Sequence, residues 1–253
     1  MCLILLAYRA HPRFRLVIAA NRDEYHARAA HPAAFWDDAP AVLAGRDAVA
    51  GGTWLGVTRG GRFAGVTNVR SAAPPRSEAA SRGHLVSDFL RGSVAAGEYL
   101  RVLAADGQRY NGFNLLADDG RALWYYSNRD ERPPHELAPG IYGLSNGTLD
   151  EDWPKVRVGK AGLAAALHAG RDPDHEALLA LLANRDIAPD HLLPDTGIDP
   201  VRERVLSSAF ILGGEYGTRC STAITIDHRG RTDFVERRFD STGLATGTTR
   251  HGF

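Results

Sequence analysis

Short apolar runs, paired around turn-forming segments, recur along the chain. The pairs are residues 3–8 with 16–20, 53–58 with 63–69, 113–117 with 122–126, and 222–227 with 233–239. Runs of this length, bounded by Gly, Pro, Asn and Asp, are typical of β-strands joined as hairpins. Residues 141–144 form one more short run. Residues 29–48 contain prolines and are expected to form a loop, as are the small and polar residues 71–80.

Helical spacing of apolar residues appears in two blocks between the strand pairs. Residues 85–103 form the first block, and Gly92 is expected to divide it into two helices. Residues 154–168 and 175–182 form the second block. Pro154 suits the first turn of a helix, with Asp152 as the expected cap. Residues 185–214 are irregular, with some helical potential.

The order of these elements predicts the fold class. Strands, helices, strands, helices and strands follow one another with hairpin-like links. This order favours antiparallel sheets covered by helices, an α+β fold, over a doubly wound parallel sheet. No linker-like segment and no internal repeat divides the chain, so residues 1–253 are expected to form one domain.

Charge and cysteine content limit the kinds of binding partner and the cellular compartment that we expect for this protein. Basic and acidic residues balance at 30 each. A net charge of zero argues against nucleic acid or an anionic membrane as a partner. The two cysteines make no disulfide framework and favour a reducing compartment. The apolar N-terminal stretch is too short for a signal peptide or membrane span. We therefore expect a cytoplasmic protein without stable membrane insertion, and the sequence leaves its oligomeric state open.

Cys2 directly follows the initiator methionine. Removal of Met1 would leave one residue that carries both a thiol and an α-amino group. Their reference pKa values, roughly 8.5 and 7.7–8.0, lie near working pH, where a nucleophile and a base are useful. The alternative is that Cys2 is a small apolar residue of a buried strand.

Four polar residues, Asn21-Arg22-Asp23-Glu24, end the second predicted strand. If the first two strands pair, this cluster lies at the same end of the hairpin as Cys2. An aspartate there can hold an α-ammonium, and an arginine can lower a thiol pKa or bind a carboxylate. We expect Asp23 to lie within hydrogen-bond or one-water reach of Cys2, on the same face of the sheet. The alternative is a solvated strand end.

Other candidate side chains lie at strand ends. Asn68, Asn111, Asn114 and Asn146 can donate to a developing oxyanion, although asparagine also serves turns. The glycine-rich segment around Trp54 lacks the Gly-Lys-Ser/Thr of a phosphate loop, so Trp54 is expected in the core or in a pocket wall. Arg219 opens a late strand and either reaches a site in that sheet or forms a surface ion pair. The histidines have no metal-ligand spacing, and no cofactor is predicted from the residues.

Taken together, several short motifs resemble the NRDE-motif family, also called the transport and Golgi organisation family. They are Met1-Cys2, Ala19-Ala20-Asn21-Arg22-Asp23-Glu24, Gly51-Gly52-Thr53-Trp54-Leu55-Gly56, Thr67-Asn68, Ser81-Arg82-Gly83, Tyr110-Asn111-Gly112-Phe113-Asn114-Leu115, Tyr142-Gly143-Leu144-Ser145-Asn146 and Tyr216-Gly217-Thr218-Arg219. The resemblance covers nearly the whole chain. It implies an N-terminal-nucleophile (Ntn) hydrolase-like fold, a four-layer αββα sandwich of two stacked antiparallel sheets covered by helices.

A more distant similarity links the chain to penicillin V acylases and bile-salt hydrolases, which cleave amides with an N-terminal cysteine. It implies that Cys2 is the nucleophile and Asp23 the partner of its amine. It also implies oxyanion donors at Asn68 and Asn146, and a late arginine at Arg219. Asn21, Arg22, Trp54, Asn111 and Asn114 are the expected substrate contacts. The chain departs from those acylases at Ala20, where they carry their first arginine, and this puts the role of Arg22 in doubt.

Two hypotheses of different classes follow from the resemblance. In the first, the protein is an amidase-type or thioesterase-type enzyme that uses Cys2 on an acyl or lipid-type substrate. In the second, the same scaffold binds haem, acyl-coenzyme A or a lipid for trafficking, without chemistry. Cys2 would supply both a nucleophile and a base, which favours the enzyme hypothesis. The absence of a defined substrate leaves the carrier hypothesis as an alternative.

Overall fold

The chain forms two compact units whose sequence segments alternate. The computed structural model describes residues 2–168 and 172–253. The first unit, hereafter the Cys2 unit, contains residues up to Ala27, Arg70–Ala72 and Pro139–Gly252. The second unit contains Arg28–Val69, Ala73–Ala138 and Phe253. The sequence predicted one domain, and the structure has two compact units, each with its own sheet.

The Cys2 unit is built on a six-stranded antiparallel sheet in the order β10-β1-β2-β11-β12-β13. Its strands are β1 (Cys2–Tyr8), β2 (Phe14–Tyr25), β10 (Gly140–Leu144), β11 (Tyr216–Asp227), β12 (Thr232–Phe239) and β13 (Ala245–Gly252). The predicted hairpins β1–β2 and β11–β12 are both present. Strand β2, which carries the NRDE motif, lies between β1 and β11 and is therefore central.

Helices cover one face of this sheet. They are α3 (Pro154–Ala166) and α4 (His175–Leu182), and the short α5 (Pro200–Val205) belongs to the same unit. Leu3 and Leu5 of β1 share a buried cluster with Leu163 of α3 and Leu178 of α4. Because side chains alternate along a strand, the odd-numbered residues of β1 face the helices and the even-numbered ones face away. The same alternation assigns a face to every residue of the site.

The second unit is built on a seven-stranded sheet, ordered β3-β4-β5-β6-β7-β8-β9. Its strands are β3 (Ala30–Trp36), β4 (Ala39–Asp47), β5 (Leu55–Thr58), β6 (Phe63–Asn68), β7 (Phe113–Asp118), β8 (Leu123–Ser127) and β9 (His135–Glu136). Helices α1 (Arg82–Arg91) and α2 (Ala96–Asp106) pack on it. Gly92 ends α1, as predicted. The core of this unit includes Phe89, Leu100, Phe113 and Leu115.

The loop predicted over residues 29–48 is wrong, because β3 and β4 occupy this segment. Proline lacks the N–H that a central strand needs, but an edge strand tolerates it. Strand β3 is the edge of its sheet, and its pairing with β4 is irregular around Pro32, between His31 and Ala34. The edge position therefore accommodates a residue that usually argues against a strand.

Two further details differ from the sequence expectations. Pro154 does occupy the first turn of α3, but the cap is Trp153, without a side-chain hydrogen bond, rather than Asp152. Strand β13 lies in a segment for which no element was predicted, and helix α5 lies in the irregular segment that had some helical potential. Within residues 2–168 and 172–253, no helix is both long and apolar enough to cross a lipid bilayer.

Candidate active site around Cys2

Cys2 is the first residue of β1, and its thiol is buried. It pairs with Arg22 of β2, which pairs on its other side with Cys220 of β11. Directly paired residues in a sheet project from the same face. Cys2, Arg22 and Cys220 therefore form a row on the face that points away from α3 and α4.

Asp23 lies on the opposite face, which corrects the expectation that its carboxylate shares a face with the Cys2 thiol. The reason is register: Arg22 opposes Cys2, and the next residue along β2 projects to the other side. The Asp23 backbone N–H, rather than its carboxylate, hydrogen-bonds the Cys2 sulfur. The main-chain nitrogen of Cys2, like the main chain of any strand residue, lies between the two faces of the sheet.

The Asp23 carboxylate is enclosed by groups of β11 and α3. Thr218 Oγ1 donates to Asp23 Oδ1 at 2.6 Å, and the Ile211 N–H donates to Thr218 Oγ1 at 2.9 Å. The Tyr216 hydroxyl donates to the Asp23 carbonyl oxygen at 2.9 Å. Burial raises the pKa of Asp23, and the nearby Lys155 ammonium and the Thr218 hydrogen bond oppose that rise. Asp23 is therefore a held, buried carboxylate and not a solvated strand end.

The Cys2 thiol lies in an environment that balances opposing effects. Burial raises its pKa, and the negative charge of Asp23 adds to the rise. The Asp23 N–H and the charge of Arg22 act in the other direction, because both stabilise a thiolate. A resting thiol in this position stays protonated until a base accepts its proton.

Strand β10 brings a second group of polar atoms to Cys2. Ser145 and Asn146 follow β10 directly and are both buried. The Ser145 hydroxyl lies 3.0 Å from the Cys2 carbonyl oxygen and 3.3 Å from Asn146 Oδ1. The Arg70 N–H donates to the Asn146 carbonyl oxygen at 2.7 Å. These contacts place Ser145 at the Cys2 main chain and Asn146 beside Ser145, and the role of Asn146 as an oxyanion donor stays a prediction.

Lys155, in the first turn of α3, is a buried ammonium that the sequence reasoning missed. Its Nζ donates to the Leu206 carbonyl oxygen at 2.9 Å. Burial lowers the pKa of Lys155 to about 8, while the negative charge of Asp23 acts to raise it. The chain has only two lysines, Lys155 and Lys160, among many arginines. That rarity was the signal that could have singled it out.

A buried ion pair adjoins this group. The Arg70 guanidinium pairs with Glu203 of α5, and both side chains are about 95% shielded from solvent. Glu203 also accepts from the Thr196 hydroxyl, and Arg70 stacks on the Trp153 ring at 4.6 Å from its centroid. Neither residue was predicted, because the partners lie 133 residues apart in sequence.

Asn21 has a structural role in place of the expected substrate contact. Its Nδ2 donates to the carbonyl oxygens of Leu182 at 2.9 Å and Ala209 at 2.8 Å, and its Oδ1 accepts from Ser221 at 2.6 Å. The amide is fully buried. Asn21 thus ties the end of α4 to the central strand, and this anchors the segment that ends in Asp23.

Arg22 and Arg219 lie near each other beside the row of cysteines. The ladder between β2 and β11 shifts register between Thr218 and Cys220, so Arg219 occupies a bulge. Bulges re-aim a side chain and are common next to active sites. Arg219 donates to the Tyr25 carbonyl oxygen at 2.8 Å, and burial together with the positive charge of Arg22 lowers its pKa.

The remaining predicted residues belong to the second unit. Asn68 ends β6. Trp54 packs against that unit's apolar core, as one of its two expected roles requires. Asn114 is buried and bonds Thr67 and Tyr125, so it is a core residue. Asn111 bonds the backbone of Arg76 through both its oxygen and its nitrogen, which is a loop-stabilising role. The contacts of Asn111 and Asn114 are structural, and their assignment to substrate stays a prediction.

The same unit has a polar cavity of about 470 Å³. Its lining residues are Arg76, Gln108, Tyr110, Asn128 and Arg129. No cluster of three or more His, Cys, Asp or Glu side chains suited to a metal ion occurs among the residues that the structure describes.

Two solved structures with a similar fold identify the fold class of the chain. A Caenorhabditis elegans N-acylethanolamine-hydrolyzing acid amidase ortholog superposes with a TM-score of 0.53 at 11% identity, over 88% of this chain and 92% of that one. A C2A mutant of the conjugated bile acid hydrolase from Clostridium perfringens also gives 0.53, at 8% identity, over 100% and 92%. At such identities the likeness concerns the fold alone. The chain has the α+β fold of the Ntn hydrolases, as the sequence predicted.

The sequence places the chain in a particular family within that class. The sequence model of transport and Golgi organisation 2 matches residues 1–241, and the chain belongs to this family. A Bos taurus transport and Golgi organization protein 2 homolog is 38% identical, over 100% of this chain and 99% of its own. The Homo sapiens homolog is 35% identical, over 99% and 97%. The resemblance inferred from the motifs is confirmed.

Proposed function

We propose that the protein is an Ntn-type cysteine hydrolase that cleaves an amide or thioester of an acyl or lipid-type substrate. The observation that carries the proposal is the junction of three strands at Cys2. Strand β1 supplies the thiol, β2 supplies the Asp23 N–H at the sulfur, and β10 supplies Ser145 and Asn146. The fold similarity to two hydrolases supports the class of reaction.

Hydrolysis of the peptide bond between Met1 and Cys2 must precede the reaction, because it frees the α-amine of Cys2. Met1 lies outside the described part of the chain. The α-amine of Cys2 then accepts the thiol proton, and the thiolate attacks the substrate carbonyl carbon. The Asp23 carboxylate, on the opposite face from the thiol, holds the resulting ammonium from that side. Thiol and carboxylate thus act on one amine from two faces of the sheet.

The tetrahedral intermediate requires hydrogen-bond donors for its oxyanion, and the Asn146 amide is the donor we assign in the Cys2 unit. Collapse of the intermediate breaks the bond to the leaving amine or thiol, which takes the proton from the Cys2 ammonium. A thioester on Cys2 remains. The amine then deprotonates a water molecule, whose attack releases the carboxylic acid and restores the thiol.

The carrier hypothesis has one structural feature in its favour, the cavity of about 470 Å³ in the second unit. Its lining is polar and includes two arginines, which suits an anionic ligand more than an acyl chain. Titration of purified protein with haem tests it directly. A carrier should give a saturable absorbance shift at micromolar concentrations, and its loss on Arg129→Ala would place the ligand in this cavity.

Intact-mass analysis after incubation with a panel of amides and thioesters tests the hydrolase. We expect loss of Met1 and transient acylation of Cys2. Cys2→Ala should abolish both acylation and turnover, Cys2→Ser should retain some turnover, and a residue added ahead of Cys2 should inactivate. Asp23→Asn should lower kcat more than it raises KM.

Cys220→Ser is the matched control, because both cysteines pair with Arg22 on the same sheet face. It should leave acylation and turnover unchanged. Wild-type turnover by the Cys2→Ala variant would refute the proposal.

A further inference from the structure

The segment Tyr110-Asn111-Gly112, which the chemistry at Cys2 does not use, builds part of the polar cavity in the second unit. This cavity of about 470 Å³ is lined by five residues, none of them acidic: Arg76, Gln108, Tyr110, Asn128 and Arg129. Its volume lies within the range of about 300–1,000 Å³ that is typical of small-molecule sites. A lining with two positive charges and no carboxylate favours an anionic ligand.

Hydrogen bonds hold the walls of this cavity in place. Asn128 Nδ2 donates to the Gly107 carbonyl oxygen at 2.9 Å, and Asn128 Oδ1 accepts from the Phe113 N–H at 2.9 Å. Asn111 accepts from the Arg76 N–H at 2.9 Å and donates to the Arg76 carbonyl oxygen at 3.1 Å. A ligand therefore meets walls that are already ordered, which lowers the entropic cost of binding.

The two lining arginines are also positioned by main-chain groups. Arg76 Nη2 donates to the carbonyl oxygens of Gln108 and Tyr110, the latter at 3.0 Å. Arg129 lies against Gly112, where an added Cβ would meet Arg129 Nε at 3.2 Å and Cγ at 3.3 Å. Glycine at this position thus leaves the space that the Arg129 side chain occupies. Gln108 and Arg129 are exposed, so a ligand can reach them from solvent.

Neighbouring charges offset one another and leave the two lining arginines in excess. Arg109 pairs with Asp106 at 2.8 Å, and Arg132 pairs with Asp130 at 2.7 Å. The lining arginines form no ion pair with any residue in the described part of the chain. Two guanidinium charges at one cavity therefore have no carboxylate of the described residues to neutralise them.

We propose that this cavity binds the phosphate monoester group of a soluble small molecule, with Arg76 and Arg129 as its cationic contacts and the Gln108 amide as a neutral donor. A guanidinium presents its N–H donors in a planar fork that matches phosphate oxygens. A phosphate monoester carries a charge of about −1.5 to −2 at neutral pH, which matches two cations better than a singly charged carboxylate does. The proposal does not rest on hydrolysis at Cys2.

Isothermal titration calorimetry with phenyl phosphate and benzoate tests the proposal, because the two probes share a ring and differ in their acidic group. At neutral pH we expect saturable binding of phenyl phosphate, stronger than that of benzoate and weakened by added salt. Arg129→Gln should weaken this binding roughly ten- to hundredfold, because it removes charge-assisted hydrogen bonds. Arg132→Gln is the matched control: it removes the same charge from an arginine that Asp130 already pairs, and it should bind like wild type.

Gln108→Glu is a second variant that keeps the shape of the side chain. The Gln108 amide forms no hydrogen bond with the described residues, so we expect the variant to fold. Its new carboxylate should abolish binding by repelling the phosphate. Equal affinity of wild type and both lining variants for phenyl phosphate would overturn the proposal, as would benzoate binding as tightly as phenyl phosphate or no binding by wild type. Those results would leave the hydrolase proposal standing, since acylation of Cys2 is measured separately.

A flotation assay identifies the source of the phosphate group. Vesicles of phosphatidylcholine, with and without phosphatidic acid, offer the same monoester group on a lipid surface. We expect neither kind of vesicle to capture the protein, because the donors line a concave site. Capture by phosphatidic acid vesicles that Arg129→Gln abolishes would overturn the assignment to a soluble ligand and move the same chemistry to a lipid headgroup.

Discussion

Replacing Lys155 by methionine should change how the stability of the protein depends on pH. Methionine is about as long as the lysine stem and keeps the apolar contacts, but it carries no charge. The pKa of Lys155 is about 8 in the folded chain, against an ordinary value of 10.5. One pKa unit corresponds to about 1.4 kcal/mol. The buried charge therefore costs ~3 kcal/mol of folding free energy at neutral pH.

The sign follows from proton binding. Below pH 8 the lysine is charged in both the folded and unfolded states, so the full burial cost is present. Between about pH 8 and 10.5 the folded state releases the proton and the unfolded state retains it. Because the unfolded state then binds more protons, this group makes stability rise with pH across that window. Above the window both states are neutral and the cost has disappeared.

Urea unfolding at a series of pH values from 7 to 11 measures this effect. The free energy of unfolding of wild type minus that of Lys155→Met should increase by ~3 kcal/mol across the series. Titrating groups that do not interact with Lys155 cancel in this difference. Lys160→Met, a change on the same helix at a partly exposed site, should show no such trend. A flat difference for Lys155→Met would refute the reasoning that its ammonium is buried at a cost.

Three further predictions concern stability. Cys2→Ala should lower the free energy of unfolding by about 1 kcal/mol or less, because it removes one thiol at a strand end. A larger loss in urea unfolding would show that Cys2 contributes mainly to the packing of the core. Arg70→Met should cost about 3–5 kcal/mol by leaving the buried Glu203 carboxylate unpaired, and adding Glu203→Leu should recover much of it in a double-mutant cycle. Strict additivity of the two changes would contradict the ion pair. Gly52→Ala should cost about 1–3 kcal/mol, since its Cβ would lie 2.6 Å from a backbone carbonyl carbon, whereas Gly60→Ala, with its nearest contact at 3.7 Å, should be nearly neutral in thermal melts.

Local patterns were sufficient for much of the fold. Short apolar runs with turn residues between them predicted β1–β2, β5–β6, β7–β8 and β11–β12, and helical spacing predicted α1 to α4. These elements are specified by neighbours close in sequence. The loop predicted over residues 29–48 was wrong because the position of a strand in its sheet is set by tertiary structure. A proline is tolerated in β3 since that strand lies at the edge of its sheet.

The sequence by itself also determined the chemistry available at the N-terminus: a cysteine as second residue, and Asp23 at the same end of the first hairpin. Only the tertiary structure decided how that chemistry is arranged. Register set Asp23 on the face opposite the thiol, because a shift of one position along a strand reverses the side-chain direction. The groups that surround Asp23 come from Lys155 and Thr218, more than 130 residues away, and pairings at such separations leave no local periodicity in a sequence.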